Sequence, residues 1–396
     1  MPIITTASEF NDLCLFLTQS APDFIAVDTE FIREKTYWPQ WSLLQLATTE
    51  KVYIIDVINL DKGKDFSAFK DLLQQRSILK VFHACRQDVE IFLHELNIIP
   101  DAFFDCQVAA YLCGFQEGIG LAKLAQELLD VEVTKTQQHT NWLSRPLSPH
   151  QLAYATADVE VIKKLYHALF QQIETLGRWG WLYEEQLHLS MPETYQQDCG
   201  EMWRRIKTPE KMKASKRALL QELCRWREEK AQQLNYNRGR VMTEDLLIKI
   251  INLQPESIVD LADQAPEISL EHLDEIWMLL LAFKDRRPHT YPTLKLPPSR
   301  PLYLLEAFAK MTPLRRRSAS DLGIAERLLG NDEAIRDFIS GAEVIFSQGW
   351  RFEVFGIHAQ EILNEYIKVT PIMDKDALNA RSNERFLDIR TLKILK

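Results

Sequence analysis

The first half of the chain alternates two kinds of apolar pattern. Residues 24–28, 43–47, 52–56 and 79–82 are short apolar runs rich in β-branched or aromatic side chains, as buried or half-buried strands should be. Between and after them, residues 66–73, 88–96, 108–112, 121–129 and 151–173 space their apolar positions three or four apart, which predicts helices. Three strands precede the first helix of this series. The pattern therefore predicts a mixed α/β sheet, flanked by helices and opening with an antiparallel meander, rather than a strictly alternating doubly wound fold. Beyond about residue 195 strand patterns almost vanish and helical ones take over, which places a domain boundary near 190–205. A second break falls at 287–301, where RPHTYPTLKLPPSRP carries five prolines; proline ends helices and stiffens linkers. Two helical units of roughly 80 residues each follow from this division. The tail, 371–396, is charged and weakly patterned, either a free end or a strap on another domain.

Length agrees with this division, since 396 residues exceed what one core usually serves. With 46% hydrophobic and 26% charged residues, the chain can bury a core and is not disordered throughout. The longest apolar runs, such as 276–283, fall far short of the roughly 20 residues a membrane-spanning helix needs. The opening MPIITTASEF has neither a basic nor an apolar segment of the secretory kind, so the expectation is a cytoplasmic enzyme. Six cysteines, at 14, 85, 106, 113, 199 and 224, show no C-x-x-C pair and no zinc-type spacing, and are expected to be reduced core thiols.

The net charge of −9 argues at first against a nucleic-acid partner, because phosphate affinity comes from Lys and Arg. Its distribution removes the objection. Residues 203–240 hold twelve Lys and Arg against four Glu, a local +8 that leaves −17 for the rest. One basic module sits on an acidic body.

Three clusters carry candidate chemistry. The strand FIAV runs into Asp28-Thr29-Glu30, and residues two apart on a strand share a face, so Asp28 and Glu30 present two carboxylates side by side at a strand end. Taken alone, such a pair is more often solvated. In VFHACRQD, a strand is followed by a short polar loop and a helix whose first turn carries Asp88, where an acid also suits the helix dipole. In YATAD, Tyr154 and Asp158 stand four apart on one helix face; alone they read as a core-edge tyrosine and a surface acid. The combination and its order are what count.

These clusters resemble the DEDD superfamily of exonucleases, in the subgroup with tyrosine in the third motif, and specifically the ribonuclease D family. The matching stretches are FIAVDTEFIREKTYWPQWSLLQLAT, VFHACRQDVEIF, FFDCQVAAYLCGF and NWLSRPLSPHQLAYATADVEVI. The resemblance implies metal-dependent 3′→5′ hydrolysis of RNA to nucleoside 5′-monophosphates, with metal-site carboxylates at Asp28, Glu30, Asp88 and Asp158. It implies two divalent ions, Mg²⁺ or Mn²⁺, with Asp28 bridging both, Glu30 and Asp158 completing the nucleophile-side site and Asp88 holding the second ion. Tyr154 orients the attacking water in this picture. Asp105, in FFDCQ, matches a further family position and reads as structural support; His83 reads as a structural hydrogen bonder. Phe31, Trp38, Trp41 and Trp142 are candidates for stacking on terminal bases, or else core residues. Arg145 is a candidate phosphate contact, or else a surface charge or cap. Asn141 departs from the family, which usually has Asp before the Trp, and that puts any role for the position in doubt.

In the second half, RALLQELCRWREEKAQQLN is amphipathic, and two shorter helical stretches, MTEDLLIKIINLQP and SIVDLAD, follow. Residues 205–288 resemble an HRDC domain, a small helical nucleic-acid-binding module. Residues 296–370 resemble a second, divergent copy. The ladder Arg204, Arg205, Lys207, Lys211, Lys213, Lys216 and Arg217 is a candidate track for an RNA backbone, with Arg315–Arg317 a shorter one; either is otherwise a solvated face. The implied substrate is RNA with a free 3′ end, tRNA precursors in particular, acted on by a monomer. Two other readings stay open: a DNA-directed 3′→5′ exonuclease of the same superfamily, and a non-catalytic RNA-binding protein that keeps the fold. The presence of Asp28, Glu30, Asp88, Tyr154 and Asp158 together argues against the second.

Overall fold

A computed structural model describes residues 3–134, 136–138, 140–208, 212–253, 255–292 and 302–367. The stretch 371–396 and Lys211 lie outside the described residues, as does most of the proline-rich break.

The chain begins with a helix that the strand-and-helix pattern had not suggested, α1 (Ala7–Ser20), capped by the Thr6 hydroxyl and burying Phe10, Leu13, Cys14 and Leu17. Its apolar stripe runs from Phe10 to Leu17, ahead of the first strand-like run at 24–28. The meander follows as β1 (Phe24–Ile32), β2 (Gln40–Ala47) and β3 (Val52–Asp56), then α2 (Ser67–Gln74), β4 (Leu79–Phe82), α3 (Arg86–Leu96), β5 (Phe103–Asp105) and α4 (Cys106–Leu112). At three residues β5 is too short to show a period. The sheet order is β3-β2-β1-β4-β5, with β1 antiparallel to β2 and parallel to β4. One correction follows. Asp28 and Glu30 do not end a strand; β1 continues to Ile32, and both acids lie in the central strand, with a register shift between Glu30 and Phe31.

The 28-residue α6 (Pro149–Leu176) closes over this sheet, with α5 (Leu121–Leu129) packed against it. Ser148 and Gln151 form a reciprocal capping box and Pro149 takes the first helical position, so the start of α6 is locally determined. After α7 (Trp179–Leu187) come three short 3₁₀ turns, ending at Arg205.

A separate core then forms from Met202 to Leu280, built on α8 (Ala214–Leu234), α10 (Glu244–Ile250), α11 (Ile258–Gln264) and α12 (Leu270–Lys284), while the short α9 (Arg238–Val241) places Val241 in a small cluster with Ala231 and Tyr37. The last helices behave differently. α13 (Leu302–Leu322), α14 (Asp332–Ile339), α15 (Gly349–Arg351) and, after one π turn, α16 (Ile357–Ile367) share a continuous apolar core with the sheet domain. Trp350 stacks on Trp181 of α7 at 4.2 Å, and the Glu185 carboxylate of α7 accepts from Tyr111 Oη, Trp350 Nε1 and the Arg351 guanidinium. Among the described residues no helix is long and apolar enough to cross a membrane. All six cysteines are free thiols, four of them buried.

Candidate active site

The first two acids come from β1 and the last from α6, which packs across that strand. One carboxylate oxygen each from Asp28, Glu30 and Asp158 can be chosen so that all lie within 4.8 Å of one another. Asp88 enters from the first turn of α3, where it accepts a hydrogen bond from Thr29 Oγ1 at 2.5 Å. Its charge bears on Asp28 and Glu30. The loop before α3 is held by Asp105: its carboxylate accepts from the backbone N–H of Ala84 (3.0 Å) and Cys85 (2.8 Å) while capping α4 through Gln107 N (2.8 Å). Ala84 sits in the left-handed region at φ 61°, a conformation unfavourable without a Cβ-free residue and sustained here by those bonds. His83 Nε2 meets the Ile119 carbonyl at 3.1 Å. Tyr154 lies one turn before Asp158, its ring 6.1 Å from that of Trp142.

Burial and mutual repulsion act together on the acids. The Asp28 carboxyl is raised well above the carboxylate range by burial first, then by Asp88, Asp158 and Glu30. Glu30 is pushed up to about 9 by burial and then by Asp158 and Asp88. Burial lifts Asp88 to about 7 against the opposing bond from Thr29, and Asp158 to about 7 against that from Tyr154. The Tyr154 phenol is also raised, by burial and by the Asp158, Glu30 and Asp28 charges, so it stays a neutral donor. Among the described residues none of the four acids forms an ion pair with Lys, Arg or His. A converging set of hard oxygen donors, with no protein cation to balance it among the described residues, suits a divalent cation.

A pH dependence follows. Carboxyls with raised values keep protons in the folded, metal-free state that the unfolded chain releases above about pH 4. The folded state then binds more protons than the unfolded one, so stability falls as pH rises toward about 7 for Asp88 and Asp158 and about 9 for Glu30. The melting temperature in chelator is expected to drop between pH 5 and pH 9, and saturating Mn²⁺ to restore it most at the alkaline end. Calorimetric melts that stay level across this range in chelator would count against the reading.

Several residues singled out for RNA contact sit elsewhere. Trp41 is 4% exposed with Nε1 donating to Leu43 O, and Trp142 is 1% exposed, so neither ring has a free face for a base. Arg145 is not free for a phosphate either: Nε and Nη2 chelate Asp56 at 2.5 and 2.8 Å, and Nη1 holds Trp142 O at 2.7 Å. It ties the segment before α6 to β3. Asn141 makes an Asx turn, its Oδ1 accepting from Leu143 N at 3.1 Å. Arg315 is buried between Glu326 and Asp332. Phe31 stays half-buried beside Glu30, and Trp38 stacks on His94 at 4.3 Å. Arg205, Lys207 and Lys213 are exposed; Arg204 lies over the Trp203 ring and pairs with Glu201, Arg217 Nε donates to Pro292 O at 3.3 Å, and Lys216 Nζ to Asn252 Oδ1 at 2.6 Å.

What the sequence did not show is the support of the site. Thr29 alternates away from its acidic neighbours on the strand, and nothing local marks it as the partner of Asp88. Arg33 Nε holds Tyr37 O at 2.8 Å while Nη1 pairs with Glu90 at 2.9 Å, two residues beyond Asp88. Tyr37 Oη in turn donates to Glu228 of α8, so the helical module grips the loop leaving the catalytic strand.

This fold and acid set define a 3′-5′ exonuclease domain joined to helical modules: residues 1–174 match the family model described as 3'-5' exonuclease, and residues 216–266 match that of the HRDC domain. The chain is 33% identical over 382 residues to ribonuclease D of Bartonella henselae, covering 92% of this chain and 90% of that one. It is equally 33% identical over 374 residues to ribonuclease D of Granulibacter bethesdensis, covering 91% and 92%. The crystal structure of Escherichia coli RNase D, described as an exoribonuclease involved in structured RNA processing, superposes with a TM-score of 0.79 at 26% identity, covering 92% of this chain and 99% of that one. The chain belongs to the ribonuclease D family. It is a 3′-5′ exoribonuclease, and the metal-dependent chemistry of this class is matched by the acidic cluster on β1 and α6.

Proposed function

We propose that Asp28, Glu30, Asp88 and Asp158 hold two divalent cations, Mg²⁺ or Mn²⁺, and that the enzyme trims the 3′ ends of structured RNA precursors, tRNA among them, releasing nucleoside 5′-monophosphates. The convergence of Asp28, Glu30 and Asp158 oxygens within 4.8 Å, with no ion pair to a protein cation among the described residues, is the observation that carries this. Asp28, Glu30 and Asp158 would hold one ion, and Asp28 with Asp88 the other. Such a pair supplies a nucleophile from water at neutral pH and stabilises charge on the attacking and leaving oxygens. The chain's own groups do the positioning. Thr29 fixes the Asp88 carboxylate, and the neutral Tyr154 phenol, one turn from Asp158, hydrogen-bonds the attacking water and sets its line of approach.

Phe31, beside Glu30, would stack on the terminal base, while Arg204, Arg205, Lys213 and Arg217 would follow the backbone of the bound strand. The organisation proposed is an exonuclease domain over 1–195, a helical module over 205–288 and a second helical unit over 296–370 docked on the first, acting as a cytoplasmic monomer. The test is product analysis on a 3′-extended tRNA precursor carrying the label in the 3′-terminal nucleotides, with and without chelator. Labelled 5′-mononucleotides are expected from the outset, and only with metal. Internal cleavage products, or faster loss of a matched single-stranded DNA, would overturn it.

A further inference from the structure

Strand β2 reads QWSLLQLA, and inside it Gln45 is 0% exposed among Leu43, Leu44, Leu46 and Ala47. Both atoms of its side-chain amide, Oε1 and Nε2, lack a hydrogen-bond partner among the described residues. A buried amide without partners costs about 1–3 kcal/mol, and an apolar side chain of the same length avoids that cost. Packing alone therefore gives no reason for glutamine here.

The register supplies one. Gln45 stands directly across from Asp28 in the antiparallel β1–β2 pair. Directly opposed residues share a face, with Cβ atoms about 5 Å apart. The same face is covered by α6, where Ala155, Asp158, Val159 and Ile162 are buried. The site acids are not equally supported: Asp88 accepts from the Thr29 hydroxyl at 2.5 Å, whereas Asp28 accepts no side-chain hydrogen bond among the described residues. Asp28 is a carboxylate without a side-chain donor, and Gln45 is a donor without an acceptor.

We infer that Gln45 is a positioning residue for Asp28, its Nε2 donating across one bridging water to the Asp28 carboxylate and setting the orientation in which that carboxylate holds a cation. Partners that orient a metal ligand change metal affinity by about 10- to 100-fold when removed. The inference rests on the proposed role of Asp28 as a ligand, so the test measures cation binding for both residues. Titration calorimetry with Mn²⁺ on the full chain is run on wild type, Gln45→Met, Gln45→Leu and Asp28→Asn, with melting temperatures in chelator recorded alongside.

For Gln45→Met and Gln45→Leu the expected result is Mn²⁺ affinity about 10- to 100-fold weaker together with an unchanged or raised melting temperature, a combination that lost packing does not produce. Wild-type affinity in a folded Gln45→Met protein, whatever its melting temperature, overturns the inference. If both apolar variants fail to fold, Gln45→Asn decides, since it keeps an amide but withdraws it by one methylene: weakened affinity supports the role and wild-type affinity ends it. Should Asp28→Asn also bind Mn²⁺ like wild type, the ligand assignment itself falls, and the role of Gln45 with it.

Discussion

Asp28→Asn is expected to abolish RNA cleavage while leaving RNA binding nearly unchanged. The substitution keeps the shape of the side chain on the central strand and removes one carboxylate from the cluster it forms with Glu30 and Asp158, where the Asp88 charge also bears on it. Held at the centre of the acid set, Asp28 is the carboxylate whose loss affects both proposed cations. Loss of activity of at least about 10³-fold, roughly 4 kcal/mol of transition-state stabilisation, is expected in single-turnover cleavage. Affinity for a single-stranded RNA, measured in chelator, is expected to stay within about twofold, because the proposed phosphate contacts at Arg204, Arg205, Lys213 and Arg217 do not involve this carboxylate. The metal-free melting temperature should rise above wild type near pH 8, since a raised, repelled carboxyl has been replaced by a neutral amide. Hydrolysis at the wild-type rate would remove Asp28 from the metal site.

The second large effect concerns the grip of the helical module on the nuclease. Glu228 of α8 is 0% exposed and accepts from Tyr37 Oη at 2.5 Å and from Arg238 Nε and Nη2 at 2.5 and 2.6 Å. Burial alone would raise its pKa, yet the bonds from Arg238 and Tyr37 outweigh that and hold it below the ordinary value. Around this pair Asn235, in the left-handed conformation that ends α8, accepts from Tyr37 N at 3.1 Å and Trp38 N at 2.9 Å, and Asn237 N donates to Lys35 O at 3.1 Å. Removing one member of a buried pair leaves the other uncompensated, at a cost of about 3–5 kcal/mol. Arg238 keeps some contact with solvent, so Glu228→Ala is expected at the lower end, about 3 kcal/mol in urea unfolding, with faster protease cleavage between the sheet domain and α8. An unchanged unfolding midpoint would show that the grip contributes nothing to docking. Because the folded value of Glu228 is depressed, this contribution is present at neutral pH and lost as the medium is acidified through the carboxylate range.

Much of this was legible along the chain because periodicity reports which face of a single element is buried. The runs at 43–47, 52–56 and 79–82 reappear within strands, and the 3.6-residue patterns at 121–129 and 151–173 within helices, with few end residues changed. Two-residue spacing placed Asp28 and Glu30 on one face, and four-residue spacing did the same for Tyr154 and Asp158. The family resemblance then assigned these residues their chemistry. Where spacing said nothing, only the fold could decide. Trp41 and Trp142 look the same in sequence whether they face a bound base or a helix, and the covering element settled it. Arg145 meets Asp56 across 89 positions, Thr29 meets Asp88 across 59, and Tyr37 meets Glu228 across 191; pairs so far apart leave no local signature. The merging of the last helices with the sheet domain's core has the same cause. An apolar stripe encodes that it must be covered, while its partner is chosen by the packing of the whole chain.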